Sequence, residues 1–163
     1  MPKDKWHLDE VVIAIRGEKF WLWRAVDADD DVLDILAQRR RNAKAAKRSF
    51  RRLIINFGEP SVVITDKLLS YIKPIKTLAS GADHRAHKGL NNRIEGSHRP
   101  TRKREKIMGR FKSHLQAQRF LSAHDPIYNF FHTDRYSMSA QNYRQSRETA
   151  FDIWANFTGQ MTA

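Results

Sequence analysis

An α/β fold, a mixed sheet with flanking helices, follows from three observations. The first 38 residues hold three runs of β-branched and aromatic residues separated by short turns. From Asn42 the apolar residues change their spacing from two to about 3.6. After Gly58, short apolar runs alternate with helical stretches.

Residues 5–16 read as the first strand and 19–27 as the second, joined by the turn Arg16-Gly17-Glu18-Lys19. So short a gap makes the pair a hairpin. Ala28-Asp29-Asp30-Asp31 is the next turn, and a third strand over 32–38 completes an antiparallel meander. Trp21 and Trp23 fall on one side of the second strand and read as core or sheet cover rather than as platforms for bases. Asn42 caps a helix whose apolar face is Ala43, Ala46, Phe50, Leu53, Ile54 and Phe57, and Gly58 stops it.

Pro60 leads into a short strand, 61–65, that ends at Asp66. A helix over 67–79 is interrupted or bounded by Pro74, and a brief strand follows near 82–87. The next helix starts at Leu90 or Asn91 and carries Glu95; Pro100 should kink or split it. Ser113-His114-Leu115-Gln116 resembles a capping box. The helix it opens should bury Leu115, Phe120 and Leu121, with Ile127 and Phe131 as further candidates. Residues 132–146 are polar and loop-like, and a last helix, about 147–157, docks through Phe151, Trp154 and Phe157. The expected organisation is a core over 1–131, then a polar loop and docking helix over 132–163. Three antiparallel strands followed by alternating helices and strands is the ribonuclease H-like order. It brings carboxylates from the first strand, the fourth strand and a later helix to one edge of the sheet.

The chain of 163 residues suffices for one domain with a real core. A formal net charge of +12 and an isoelectric point of about 10.3 point to a polyanionic partner, nucleic acid above all. The absence of cysteine excludes disulfides, thiol nucleophiles and cysteine-ligated zinc. No apolar run reaches the roughly 20 residues of a membrane span, and residues 1–6 have no signal-like apolar core.

Three acids stand out on this basic background: Asp9 within the first strand, Asp66 at the end of the fourth, and Glu95 near a helix start. Phosphodiester chemistry needs an activated oxygen and a stabilised leaving oxygen, which two divalent ions roughly 4 Å apart can serve. Mg²⁺ keeps several waters and takes hard oxygen ligands, so a few carboxylates suffice. Each acid also has a plainer reading. Asp9 fits an exposed strand acid, although Asp is disfavoured in strands. Glu10, on the opposite face, reads as the solvent residue. Asp66 fits a helix N-cap for 67–73. Glu95 competes with Glu105, which lies among Arg102, Lys103, Arg104 and Lys106 and reads as a surface pair.

Bases cluster in two zones. Arg39 through Arg52 reads in part as a solvated helix face. His84 through Lys112 flanks Glu95, and Arg99, Arg102 and Lys103 follow that acid by one to two turns, placed to hold phosphates. His84 and His87 form a lone HxxH, weak as a zinc site without cysteine. His7 shares the Asp9 face and reads as a packed core histidine.

With these residues in place, the chain resembles bacterial insertion-sequence transposases of the Asp-Asp-Glu class, specifically family six. The matching runs are Trp6-His7-Leu8-Asp9-Glu10, Phe20 through Asp27, Ile64-Thr65-Asp66-Lys67, and His84 through Glu95 continuing into His98-Arg99 and Phe111-Lys112-Ser113. The resemblance implies a retroviral-integrase-like catalytic core. It also implies Mg²⁺, with Mn²⁺ able to substitute, cleavage at transposon ends, and joining of a 3′-hydroxyl to target DNA. Carried over by motif position, Asp9, Asp66 and Glu95 form the metal-binding and catalytic triad, and Arg102 is the basic residue two turns past the Glu. Lys67, Arg85, Lys88, Arg93, His98, Arg99 and Lys103 join Arg102 as expected DNA contacts. Asn91, Asn92 and Arg93 belong to the signature. The implied partners are transposon-end and target DNA and further copies of the chain, with no membrane. The implied setting is the bacterial cytoplasm, at the nucleoid. Family members usually carry a helix-turn-helix domain before the first Asp. With Met1 eight residues ahead of Asp9, the expectation is a catalytic domain without it. The Asp66-to-Glu95 interval also looks shorter than is usual for the class. The alternative is a truncated, non-catalytic remnant that binds DNA or a full-length transposase.

Overall fold

The computed structural model describes residues 4–66, 68–87, 89, 92–131 and 138–161, with 92, 93, 95–97, 160 and 161 described through their backbone only. The chain divides into two compact units, Met1–Ala123 and His124–Ala163.

In the first unit, β1 (Lys5–Ile15), β2 (Glu18–Val26) and β3 (Val32–Gln38) form the expected antiparallel meander. Arg16 and Gly17 both have positive φ, 52° and 78°. That is the two-residue turn whose twist matches the flanking strands, and glycine meets it without steric cost. Helix α1 (Ala43–Phe57) begins where Asn42 Oδ1 accepts from the Ala45 N–H at 3.0 Å and ends at Gly58. Strand β4 (Val62–Thr65) then lies parallel to β1, and β5 (Asp83–Ala86) parallel to β4. The sheet order is β3-β2-β1-β4-β5.

Alternation along β1 splits its residues between two cores. Trp6 and Leu8 face α1, packing with Trp23, Phe50, Leu53, Val63, Tyr71 and Ile75. Ile13 and Ile15 face the other way, with Phe20, Leu22, Ile35, Phe111, Ala117 and Leu121. Trp23 is buried and Trp21 packs on the same cluster, as sheet cover.

The segment after Asp66 is not one helix: a 3₁₀ turn, Leu69–Tyr71, precedes α2 (Ile72–Leu78). Pro74 stands in the first turn of α2, where the missing N–H would have had no helical acceptor. Helix α3 (Asn92–Ile107) runs through Pro100 without splitting. Ile94, His98 and Thr101 are buried on both sides of the proline, and this packing outweighs its local penalty.

Helix α4 (His114–Phe131) starts as expected: Ser113 Oγ accepts from the Gln116 N–H at 3.1 Å, while Gln116 Oε1 reaches back to the Lys112 N–H at 2.7 Å. Its buried positions in the first unit are Ala117 and Leu121. Leu115, expected inside, is exposed, because that face of the first turn points away from the Phe111 cluster.

Of the segment 132–146 read as loop, the second unit corrects 140–146; 132–137 lie outside the described residues. Helix α5 spans Ala140–Met161, with Ser139 Oγ accepting from the Asn142 N–H at 3.2 Å. The segment is polar but holds no helix breaker, and a capped polar stretch extends a helix as well as an apolar one. Phe151 and Trp154 meet Phe131 at ring-centroid distances of 5.1 and 5.8 Å. Phe151 and Phe157 remain more than half exposed, and Ile127 is exposed as well. Among the described residues, no helix is long and apolar enough to cross a membrane.

Candidate active site

The register of the parallel pair β1·β4 creates the site. Leu8 lies opposite Thr65, so Asp9 and Asp66, each one residue further along, emerge side by side. Asp9, Glu10 and Asp66 each place a carboxylate oxygen within 4.8 Å of the other two.

Glu10 corrects the sequence reading most directly. It does face away from Asp9, but its side chain is fully buried rather than solvated. Alternation puts it on the Trp6–Leu8 face, and that face is covered. Tyr71 Oη donates to Glu10 Oε2 at 3.0 Å. Arg41 donates to Oε1 from Nε at 2.7 Å and from a terminal nitrogen at 2.5 Å. Burial raises the Glu10 carboxyl from 4.5 to about 7, with the Asp66 charge adding to the rise and the Arg41 and Tyr71 bonds opposing it. Burial, then the charge of Glu10, holds the Tyr71 phenol well above its ordinary range, so it stays a donor. Both Glu10 oxygens accept from protein partners, so Glu10 braces the site from its buried side.

Asp66 accepts from the Leu68 N–H through Oδ1 at 2.9 Å, an Asx turn rather than the helix N-cap expected for 67–73, because the 3₁₀ turn that follows has Leu68 as its cap and no side-chain cap bond. Its Oδ2 lies 3.9 Å from Arg41. Arg41 thus ties the buried Glu10 to the partly exposed Asp66, and its guanidinium covers the Trp21 ring at 4.8 Å.

On the opposite face, Asp9 Oδ2 lies 3.1 Å from His98 Nε2. A carboxylate only accepts, so Nε2 carries the hydrogen. His98, expected among the DNA contacts, is 5% exposed and faces Asp9 instead of solvent. It sits one turn after Glu95 and joins the Glu95 helix to the Asp9 strand. One turn further, buried Thr101 Oγ1 accepts from Arg24 at 3.0 Å, and Arg24 stands directly across from Asp9 on β2. The positioning roles of Glu10, Arg41, Tyr71 and His98 did not emerge from the sequence reading. Only Glu10 carried a usable signal, its place on the apolar side of β1.

Arg99 and Arg102, both exposed, line an open depression with Asp9, Val11 and His98. Lys103 is exposed further along the same helix. Arg85, on β5, pairs with Asp83 at 2.7 Å on the surface. His84 bonds Thr65 Oγ1 at 2.9 Å, and His87 Nδ1 accepts from the Gly89 N–H. Glu105 is half-buried between Arg102 and Arg110, and burial raises its carboxyl. Lys67, Lys88 and Asn91 lie outside the described residues, as do the side chains of Asn92, Arg93 and Glu95.

Asp9 and Asp66 suit a hard divalent cation. They are oxygen donors, partly exposed, adjacent on neighbouring strands and oriented by His98 and by the Leu68 amide.

Residues 3–134 match the model of a DDE domain family. The chain is 34% identical over 149 residues to the transposase for insertion sequence-like element IS431mec of Staphylococcus aureus (strain Mu50), covering 88% of this chain and 65% of that protein. The same figures hold for the transposase for insertion sequence element IS257 in transposon Tn4003 of Staphylococcus aureus. The chain therefore spans about 65% of the length of the curated relatives it matches. Among solved structures, it is similar to a chain of the simian T-cell lymphotropic virus intasome in complex with PP2A regulatory subunit B56 gamma. That match has a TM-score of 0.52 at 19% identity, covering 95% of this chain and 48% of the other, and it concerns the fold alone, a ribonuclease H-like one. By family match and by relatives, the chain belongs to the DDE-class transposases of insertion-sequence family six.

Proposed function

We propose that this chain is the catalytic domain of a DNA transposase that cleaves DNA at element ends and transfers the strand to a target. The observation that carries the reading is that Asp9 and Asp66 lie side by side, each one residue past the last pair of the parallel register, Leu8 with Thr65, with an exposed basic depression beside them. Asp9 and Asp66 are the metal ligands, and Glu95, on the helix that His98 ties to Asp9, is the third. Mg²⁺ is the ion, with Mn²⁺ as substitute. When bound, it acidifies the attacking hydroxyl and stabilises the leaving oxygen.

The chain's own residues do the rest. His98 orients Asp9, and Arg41 spans Glu10 and Asp66. Arg99 and Arg102 hold backbone phosphates beside the carboxylates, with Lys103 further along the same helix and Arg85 on β5; Lys67, Lys88 and Arg93 are DNA contacts on the strength of the family motif alone. Partners are DNA and further copies of this chain.

The test is nicking and strand transfer of duplex DNA carrying the element's ends, with Mg²⁺, Mn²⁺ or EDTA. Products should require metal and disappear in Asp9→Asn and Asp66→Asn. Activity surviving both substitutions would overturn the assignment. Metal-independent DNA binding with no product would leave the chain a binding remnant.

A further inference from the structure

We infer that the exposed face of α1 is a second contact surface for the backbone of duplex DNA, separate from the basic depression beside Asp9. The inference rests on the reading that this chain acts on DNA. Helix α1 buries Ala45, Ala46, Ser49, Phe50 and Leu53. Its other side presents Lys44, Lys47, Arg48 and Arg51, all exposed, and exposed Arg40 leads into it. Positions 44, 47, 48 and 51 are helical neighbours, so the four cations form one stripe roughly 10 Å long at 1.5 Å per residue. That length spans about three phosphates of one strand.

What distinguishes the stripe is the state of the cations around it. Arg39 pairs with Glu18 at 2.6 Å, Arg41 with Glu10, and Arg52 with Asp34 at 2.9 Å. Those three bordering arginines are neutralised within the fold. Among the described residues, Arg40, Lys44, Lys47, Arg48 and Arg51 have no carboxylate partner, and the sequence offers no acid between Asp34 and Glu59. Like charges three and four residues apart oppose one another on a helix. A stripe of four with no acid among them presents a field that a polyanion complements and that water and salt only screen.

The stripe is also continuous with the site. Arg41, one residue before the N-cap of α1, lies 3.9 Å from Asp66 Oδ2. From there the cations lead away from the carboxylates along the helix. Arg40, Lys44 and Arg48 line one wall of a cleft that also contains Phe20, Gln38 and His114. Nothing in the stripe reads base edges, so the interaction is with phosphates and independent of sequence.

The experiment is equilibrium binding of a fluorescent duplex of arbitrary sequence to the full chain in EDTA, across a salt series. The quadruple variant K44Q/K47Q/R48Q/R51Q should bind about tenfold or more weakly. Its plot of log affinity against log salt should be shallower by up to about 2.7, at about 0.9 for each of the roughly three phosphates that the variant no longer neutralises. All four side chains are exposed and the variant removes their mutual repulsion, so circular dichroism should stay at the parental value and the melting temperature should not fall below it. The double variant K44E/R48E provides a second, independent perturbation and should weaken binding in the same direction. Parental affinity and salt slope in both variants would overturn the inference and leave the transposase reading standing. A parent chain that fails to bind duplex DNA at all would overturn both.

Discussion

Glu10 makes the stability of the metal-free chain depend on pH in a calculable way. Its carboxyl is raised from 4.5 to about 7, so between those values the folded chain holds a proton that the unfolded chain has released. Below 4.5 both states are protonated and Glu10 contributes no pH dependence. As pH rises through the window, the unfolded state gains by ionising while the folded state does not. Above about 7 both are ionised, and the full cost of burying the charge is felt. At about 1.4 kcal/mol per pH unit, a window from 4.5 to about 7 corresponds to about 3 kcal/mol of stability lost on going to neutral pH. Asp34 is raised as well, by burial, and acts in the same direction, so the parent curve alone does not isolate Glu10. The comparison with Glu10→Gln does. Glutamine keeps the shape and cannot ionise; its oxygen accepts from Arg41, and its amide N–H can donate to the Tyr71 hydroxyl, which turns to accept. Urea unfolding in EDTA at several pH values from 4.5 to 8 should show the stability difference, variant minus parent, growing by about 3 kcal/mol as pH rises. A difference constant across that range would refute the claim that burial governs this carboxyl.

Other consequences are simpler to read. His98→Ala removes the donor that orients Asp9, and activity should fall about 10–100-fold with a higher metal requirement. His98→Gln, which keeps a donor, should recover part of it, as metal titrations of nicking would show. Phe50→Ala empties a fully buried site that stacks edge-on against Trp6 at 6.3 Å, and should cost about 3–5 kcal/mol in chemical unfolding. Asn42→Ala removes the cap of α1 and should cost about 1 kcal/mol by the same measurement, with DNA binding unchanged.

Local chemistry explains what the sequence disclosed. The meander is written in three short runs with turn residues between them, and α1 carries its own cap and stop, so both were legible. The places of Asp9 and Asp66 were legible too, because strand order alone sends both to one edge. Glu10 was misjudged because alternation says which face a residue takes and not what covers that face. Its cover comes from Arg41 and Tyr71, distant in sequence. His98 escaped for a related reason: its partner lies 89 positions away. Pro100 and the polar start of α5 misled in the opposite way. A proline penalty or a lack of apolar residues is a local cost, and tertiary packing or a good cap overrode it.

The parallel pairing of β1 and β4 has a further consequence for how the site can be lost. Both strands are interior to the sheet, β1 between β2 and β4, and β4 between β1 and β5. Val63, Ile64 and Thr65 are almost wholly removed from solvent. Fraying begins at the rims, β3 and β5, and leaves Asp9 and Asp66 in register. Amide hydrogens of Ile64 and Thr65 should therefore exchange only with the opening of the whole sheet. The pairing of Leu8 with Thr65 that sets the two carboxylates side by side should then be lost only with the sheet.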